Sequence, residues 1–281
     1  MASRALSTTR RARARHRARA RRSGSRGLLS RLLDSWAARW ISPLAILALW
    51  QLASATGVLS QDTLAAPSDI LATAWDLTTD GQLPDALSVS LRRAALGFAA
   101  GVAAALVFGT IAGLSRVGDA LVDPPMQMVR TLPLFGLVPL FIIWFGIGET
   151  PKITLVAVGV VIPLYLNLIA ALRGIDRELY DVAAVFRLSR WERIRDLLIP
   201  GALPGTLVGL RQSLGVAWLA LIVAEQVNAS SGLGYMINNA RDFNQTDVVV
   251  VGLLAYAVLG LLTDALVRAF ERRALRWRDD A

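Results

Sequence analysis

Six stretches of this sequence are long and apolar enough to cross a lipid bilayer. A transmembrane helix needs about 20 mostly apolar residues to span a hydrocarbon core of roughly 30 Å. The chain has 281 residues, 54% of them hydrophobic, and its charges crowd into a few short zones. This pattern predicts an all-α, polytopic membrane helical bundle. The predicted transmembrane helices cover about 40–58, 94–114, 122–147, 152–172, 202–226 and 248–267.

The third predicted span is the least regular, because it holds several prolines and an arginine. Proline removes a backbone donor and clashes with the preceding helical turn. A kink or a broken helix is therefore expected in this span. The residues concerned are Pro124, Pro125, Arg130, Pro133 and Pro139.

Arginines near the ends of the spans predict the orientation of the chain. Loops that stay in the cytoplasm carry an excess of Lys and Arg. Arginine is abundant in the segments 1–39, 176–200 and 268–281, whereas the loops after the first and fifth spans are richer in aspartate. We therefore expect a multi-pass protein of the cell membrane, with a transmembrane domain at 40–267 and both termini in the cytoplasm.

The run RRARARHRARARR, within the N-terminal segment 1–39, has two interpretations. Clustered positive charge binds the phosphates of nucleic acids. A disordered basic tail also binds the anionic membrane lipids of the inner leaflet. We favour the lipid interpretation because it needs no further assumption in a membrane protein, and we expect no nucleic-acid partner.

The composition excludes several kinds of chemistry. The chain has no cysteine and a single histidine, His16, so neither a thiolate nucleophile nor a histidine metal cluster can form. The one lysine, Lys152, follows GIGETP instead of the glycine spacing that cradles phosphates. We expect no metal site, no cofactor and no enzymatic activity in this chain, so any energy source would lie on another subunit.

Small residues recur at four-residue spacing in several predicted spans. Such residues let helix backbones approach closely where lipid provides no hydrophobic drive, so a tightly packed bundle is expected. The pairs lie in GFAAG (97–101), GTIAG (109–113), GALPG (201–205) and GTLVG (205–209). Between the first two spans, 68–77 and 85–93 are predicted to be short amphipathic helices along the outer surface.

The segment DVAAVFRLSRWERIRDLLIPGALP, residues 181–204, is charged and lies between the fourth and fifth spans. Near its middle, Ser189 and Glu192 have the spacing of a capping box. Two short helices joined by a turn are therefore predicted, and Pro200 and Pro204 are expected to mark the end of the second helix and the entry to the fifth span. A compact helical element of this kind is suited to docking into a groove on another protein.

This segment resembles the cytoplasmic loop of the membrane subunits, or permeases, of ABC importers that work with a solute-binding protein. In that family the loop begins with Glu-Ala-Ala, continues with a glycine and ends with Ile/Leu-Pro. Here Asp181 stands at the Glu position and Val182 and Ala183 at the two alanines. Ile199-Pro200 stands at the last pair.

The glycine position of the loop is occupied by Arg187. A glycine adopts a positive φ without steric cost, whereas arginine is strained in that conformation. The resemblance covers most of residues 40–278 and is strongest to the branch that imports sulfonates, taurine and nitrate. WFGIGETPKI (144–153) and GLGYMINNARDFNQTD (232–247), among other segments, look most like aliphatic-sulfonate permeases.

The resemblance implies a type I ABC importer permease whose loop at 176–200 couples to a cytoplasmic ABC ATPase. Two ATPase subunits would drive a homodimer of this chain between inward-facing and outward-facing states, and an extracellular or periplasmic solute-binding protein would deliver the substrate. The short helix around 181–189 would be the coupling helix. The expected coupling residues are Asp181, Val182, Ala183, Phe186, Arg187, Leu188, Ser189, Ile199 and Pro200.

Charged residues within the predicted spans are candidates for a translocation pathway, because ionisable groups in a membrane usually face a cavity or a partner. Arg211, about nine residues into the fifth span, is a candidate counter-charge for an anionic substrate. An internal pair of Arg211 with Asp264, locking the fifth and sixth spans together, fits the sequence equally well. The other candidate pathway residues are Gln212, Trp218, Glu225 and Asn167.

The predicted function is therefore the inward movement of a small organosulfur anion, in particular an aliphatic sulfonate, by the permease subunit of an ABC importer. Taurine, nitrate or another small solute fits the same architecture. A self-sufficient channel or secondary carrier is the alternative from a different class. An inverted internal repeat or an acid–base relay would favour that alternative, and the sequence shows neither.

Overall fold

A computed structural model describes residues 38–60, 63–227 and 229–277 of the chain. Within these ranges all regular secondary structure is helical, which confirms the predicted all-α class. The predicted disordered tail lies outside the described residues except at positions 38 and 39. The α-helices are α1 (Ala38–Ala55), α2 (Pro67–Thr79), α3 (Gln82–Leu114), α4 (Arg116–Thr131), α5 (Leu137–Phe145), α6 (Glu149–Arg173), α7 (Arg177–Val185), α8 (Arg190–Arg193), α9 (Ile199–Gln226), α10 (Leu233–Asp242) and α11 (Thr246–Ala274).

The chain divides into two compact units, one ending at Ser68 and the other beginning at Asp69. In the first unit, the Gln51 side chain at the end of α1 donates to Ser68 Oγ at 3.2 Å and accepts from Ser68 N at 3.1 Å. These two bonds hold Ser68 against α1 within the first unit. The second unit contains α3 to α11, and the candidate sites described below lie within it.

Four helices of the described residues are long and apolar enough to cross a membrane: α3, α6, α11 and the continuous helix Arg190–Gln226. A bent pair, Arg116–Thr131 with Leu134–Phe145, raises the number to five if it counts as one span. The predicted number of six is not confirmed. The first predicted span falls short because the apolar part of α1 covers only Ile41–Ala55.

The break predicted in the third span is confirmed. The two helices of this segment meet at an angle of 91°. Leu132, which ends α4, has an extended backbone with φ −73° and ψ 134°, as expected for a residue that precedes a proline. A short 3₁₀ turn, Leu134–Gly136, follows Pro133 and leads into α5.

Two predicted helix boundaries are wrong, although the helix predicted at 68–77 is confirmed as α2. The segment 85–93 forms the first turns of α3, because no proline interrupts the helix after Pro84. The helix that begins at Arg190 does not end at Pro200 either, since it continues through a π-helical turn, Ile194–Leu198, into α9. The wider π turn relieves the clash that a proline ring makes with the preceding helical turn.

Helix α6 lies between α3 and α9 and packs against both through their small residues, as the four-residue spacing predicted. On α3, a Cβ added at Gly97 or Gly101 would lie 2.6 Å from an atom of α6. On α9, the equivalent distance is 2.7 Å at Gly205 and 2.6 Å at Gly209. The three backbones are therefore so close that a methyl group does not fit between them.

Replacing Gly101 by alanine is expected to disrupt this packing. Its Cβ would lie 2.6 Å from the backbone oxygen of Ala157, which cannot move without shifting α6. We expect a loss of about 1–3 kcal/mol in the free energy of unfolding, the usual cost of overpacking, detected by thermal unfolding in detergent. Gly260→Ala is the matched control, because a Cβ at this helical site would meet nothing within 4 Å. Equal stability of both variants would contradict the close approach of α3 and α6.

Candidate coupling loop and translocation residues

The loop predicted to couple to an ATPase contains two short helices joined by a turn, as expected. Helix α7 starts at the N-cap Asp176, whose carboxylate accepts from Glu178 N at 3.1 Å. At its end, Leu188 N donates to Ala183 O and Arg187 N donates to Ala184 O, both at 3.0 Å. These two bonds form a Schellman motif, in which the residue after the helix adopts a left-handed conformation.

Arg187 takes that left-handed conformation, with φ at 52°. This is the position at which the resemblance implied a glycine, so the turn keeps its geometry although the residue differs. A non-glycine residue in this region costs about 1–2 kcal/mol. The hydrogen bonds on both sides of Arg187 and the packing of Leu188 against the bundle offset this cost.

The capping box predicted for the second helix is confirmed. Ser189 N donates to Glu192 Oε2 at 2.7 Å, and Glu192 N donates to Ser189 Oγ at 3.3 Å. The hydroxyl and the backbone N–H of Ser189, both close to the carboxylate, lower the pKa of the Glu192 carboxyl below its usual value. Since the folded-state pKa is lowered, the box is present at neutral pH and is lost only when the pH falls through that lowered pKa.

A small apolar cluster holds the coupling loop against the bundle. Ile175, Ala183 and Leu197 are buried together, and Leu188 and Leu198 pack against them. Ala183 is the buried residue of α7, and the other residues of this helix are exposed. This cluster therefore connects α7 to the helix Arg190–Gln226 that continues into the membrane.

The C-terminal end of α7 presents an exposed apolar surface. Val182, Val185 and Phe186 form this exposed coupling face, with 49%, 80% and 74% of their surface accessible. Asp181 is also exposed next to it. Ile199 and Pro200 lie on the other side of the π turn, at the start of α9, where Ile199 is exposed and Pro200 is half-buried. Exposed large apolar side chains at a loop of this kind indicate a surface that another protein covers.

Arg211, the predicted counter-charge, forms an interhelical ion pair. Its Nε donates to Asp264 Oδ1 at 2.7 Å, which joins α9 to α11. The other oxygen of Asp264 lies 2.8 Å from Arg268. Two arginines therefore share one carboxylate, and the group keeps a net positive charge. Arg211 is 47% exposed, so it can form this pair and still face a solute.

The remaining predicted pathway residues fall into two groups. Asn167 donates to Gln212 Oε1 at 3.0 Å, which joins α6 to α9 beside Arg211. Trp218 is buried and donates from its indole nitrogen to Thr263 Oγ1 at 3.0 Å. Glu225 is also buried. Asn167 and Gln212 thus join α6 to α9, whereas Trp218 and Glu225 are buried within the bundle.

Glu225 is the centre of a network of charged and polar side chains that the sequence analysis missed. Only 1% of its surface is exposed. Its carboxylate accepts hydrogen bonds from the Ser90 hydroxyl, the Arg93 guanidinium, the Tyr256 hydroxyl and Gly234 N, each at 2.8 Å. Both oxygens are therefore satisfied, as a buried carboxylate requires.

Arg93 extends this network to the surface. Its Nε and Nη2 donate to the two oxygens of Glu149 at 2.6 and 2.7 Å, a bidentate pair. Its Nη1 also donates to Ser231 O at 2.7 Å. Lys152 lies 3.4 Å from Glu149, so two cations balance two carboxylates. We call Ser90, Arg93, Glu149, Lys152, Glu225 and Tyr256 the buried charge network.

The buried charge network joins α3, α6, α9 and α11 at one end of the bundle, and α10 binds to it through Gly234 N. Glu225 lies 26 residues after Ile199, so it is roughly 39 Å along the helix from the coupling loop. A signal was present in the sequence, because Ser90 and Arg93 follow the same helical spacing as the small residues Gly97 and Gly101. That face of α3 is buried, so the Arg93 side chain lies inside the bundle.

The geometry of the loop and the bundle can be compared with known proteins. The family model described as "Binding-protein-dependent transport system inner membrane component" matches residues 105–276, which is more than half of the chain. The chain belongs to this family. It is a multi-pass permease component of an ABC importer, and its relatives are transport permeases and not enzymes.

Three relatives match this permease over most of its length. SsuC of Bacillus subtilis (strain 168), named as an aliphatic sulfonates transport permease protein, is 43% identical over 87% of this chain and 88% of its own. SsuC of Escherichia coli (strain K12), named in the same way, is 46% identical over 85% of this chain and 91% of its own length. TauC of Escherichia coli (strain K12), named as a taurine transport system permease protein, is 35% identical over 72% of this chain and 73% of its own length.

Two solved structures share the fold of this permease. The crystal structure of an amino acid ABC transporter with histidines gives a TM-score of 0.59 at 17% identity and covers 70% of this chain and 96% of its own. An inward-facing MetNI methionine ABC transporter gives a TM-score of 0.52 at 19% identity, and the match covers 69% of this chain and 94% of that chain. This likeness confirms the predicted type I ABC importer permease fold.

Proposed function

We propose that this permease moves a small organosulfur anion, in particular an aliphatic sulfonate, inward across the cell membrane. The observation that carries the proposal is the identity of 43% and 46% to two proteins named for aliphatic sulfonate transport, each over most of both chains. The taurine permease is less similar, at 35%. Taurine is therefore the second candidate.

The energy for this movement would come from a separate cytoplasmic ABC ATPase that binds ATP and Mg²⁺. The exposed coupling face supports this part of the proposal, because three apolar side chains there have no cover within the described chain. A homodimer of this permease in the lipid bilayer would work with two ATPase subunits. A solute-binding protein would deliver the anion from outside, with both termini of the permease in the cytoplasm.

Uptake by whole cells tests the proposed substrate. In cells from which this chain is deleted, we expect uptake of labelled ethanesulfonate to stop and to return when the chain is supplied on a plasmid. Uptake of nitrate should not change, and uptake of taurine should fall less than that of ethanesulfonate. If ethanesulfonate uptake persists while taurine uptake stops, taurine is the substrate and the first candidate is wrong.

Replacing Arg211 by glutamine is expected to abolish this uptake without reducing the amount of assembled permease. Asp264 keeps Arg268 as a partner in this variant, so no carboxylate is left without a counter-charge. A lost positive charge in the pathway would instead remove the counter-charge of an anion. Uptake of ethanesulfonate and basal ATPase activity of the assembled complex measure the two effects separately.

Arg268→Gln is the matched control for Arg211→Gln, because Arg268 binds the same carboxylate from the next turn of α11. We expect this variant to keep most of the uptake. If Arg211→Gln lowers the amount of assembled permease and Asp264→Asn restores it, the pair serves as a lock between α9 and α11.

A further inference from the structure

A cavity of about 170 Å³ lies at the break of the third span. Its wall is formed by α4, the 3₁₀ turn, α5, α6 and α9. The lining is almost entirely apolar, and among the described residues that form it, Arg130 alone carries a charge. Ile162 of α6 and Val216 of α9 are two of its apolar lining residues.

Arg130 belongs to none of the ion pairs formed between the described residues. Its Nη1 lies 3.4 Å from Gln127 Oε1, a long hydrogen bond to a neutral group one turn earlier. Arg211, by contrast, is bonded to Asp264. A guanidinium within a membrane span is costly unless an opposite charge or water meets it. Most of the hydrogen-bond donors of Arg130 are therefore available to bind an anion.

The chemistry of Arg130 and of the wall fits one class of solute. A guanidinium presents donors in a planar fork that matches oxyanions with two or more oxygens. The apolar wall opposite offers a place for a short hydrocarbon tail, which gains free energy when it leaves water. Together they describe an organic anion with an oxyanion head and an apolar tail.

We propose that Arg130 and this cavity form a binding subsite for alkanesulfonates, in which Arg130 binds the sulfonate head and the wall around Ile162 and Val216 holds the alkyl tail. This inference rests on the proposed function and adds a basis for selectivity. No carboxylate lines the cavity among the described residues, so the ammonium group of taurine has no partner there. Nitrate has no alkyl tail that could contact the apolar wall.

The test uses the complete transporter, with its ATPase and binding protein, in proteoliposomes. We expect Arg130→Gln to lower ethanesulfonate uptake about tenfold or more, the effect of losing a hydrogen bond to a charged group. Basal ATPase activity and the amount of assembled complex should not change. Arg130→Lys keeps the charge and should restore part of the uptake. Arg116→Gln, an exposed arginine at the start of the same helix, is the matched control and should transport normally.

A second variant tests the tail. Val216→Phe places a larger side chain in the apolar wall and leaves Arg130 in place. We expect it to lower the uptake of butanesulfonate more than that of methanesulfonate, because only the longer alkyl tail would extend into the space that the phenylalanine ring occupies. Equal loss for both solutes would show that the wall does not hold the tail, and would overturn this part of the inference.

The outcomes separate the subsite from the proposed function. If the native transporter carries no alkanesulfonate, the proposed function fails and the subsite with it. If it carries ethanesulfonate and Arg130→Gln carries it equally well, the subsite is wrong and the function stands. If Arg130→Gln reduces the amount of assembled complex, Arg130 stabilises the end of α4 and the subsite is again overturned.

Discussion

Replacing Arg93 by alanine is expected to leave almost no folded permease in the membrane. Arg93 is 2% exposed and is the partner of Glu225, whose carboxylate is 1% exposed. Without the guanidinium, a buried negative charge loses its counter-charge. Breaking a buried ion pair from one side costs about 3–5 kcal/mol, a large share of the free energy of unfolding of a typical domain. The amount of protein in the membrane and its thermal unfolding in detergent measure this loss.

Arg92→Ala is the matched control, because Arg92 is the neighbouring arginine on α3 and its side chain is exposed. We expect this variant to resemble the native chain. The double variant Arg93→Met with Glu225→Gln removes both charges and should be less destabilised than the sum of its single variants. If Arg93→Ala is as stable as Arg92→Ala, the network does not hold the bundle together.

Replacing Phe186 by aspartate is expected to abolish transport by detaching the ATPase. Phe186 is 74% exposed and lies on the exposed coupling face, so the substitution removes no packing within this chain. A charge at the centre of an apolar interface loses its water without gaining a partner. Truncation of a central interface residue often costs 2 kcal/mol or more, about thirtyfold in affinity. Co-purification of the ATPase and uptake should both fall, while the amount of permease stays normal.

Trp75→Asp is the control for an exposed aromatic residue outside the coupling loop, since Trp75 on α2 is 70% exposed. It should retain the ATPase. Ala183→Asp tests the buried residue of the same helix, which packs in the cluster with Ile175, and should reduce the amount of permease itself. If Phe186→Asp retains the ATPase at the native level, the exposed coupling face is not the docking surface.

Features encoded by neighbouring residues could be predicted from the sequence. The capping box needs only Ser189 and Glu192, three positions apart, and it is present. The break of the third span needs only Pro133, which restricts the residue before it. The glycine spacing on α3 and α9 predicted close helix packing, since a stripe of small residues on one helical face allows backbones to approach.

Boundaries were less predictable, because they depend on whether the rest of the fold accommodates a local irregularity. Pro200 was expected to end a helix, but a π turn over Ile194–Leu198 carries the helix past it. Arg187 holds a left-handed backbone that glycine would adopt more easily. Both irregularities persist because the buried cluster around Leu197 fixes the loop against the bundle.

The sequence by itself predicted an all-α membrane bundle, the two short helices of the loop at 176–200 and the Ser189 cap that starts the second of them. Only the tertiary structure showed that Arg93 meets Glu225, 132 positions away, and that Arg130 lies beside a cavity without an acidic partner among the described residues. The physical reason is the range of each interaction. Helix formation and capping depend on residues within one or two turns, whereas the partner of a charge inside a membrane depends on which faces of distant helices are brought together.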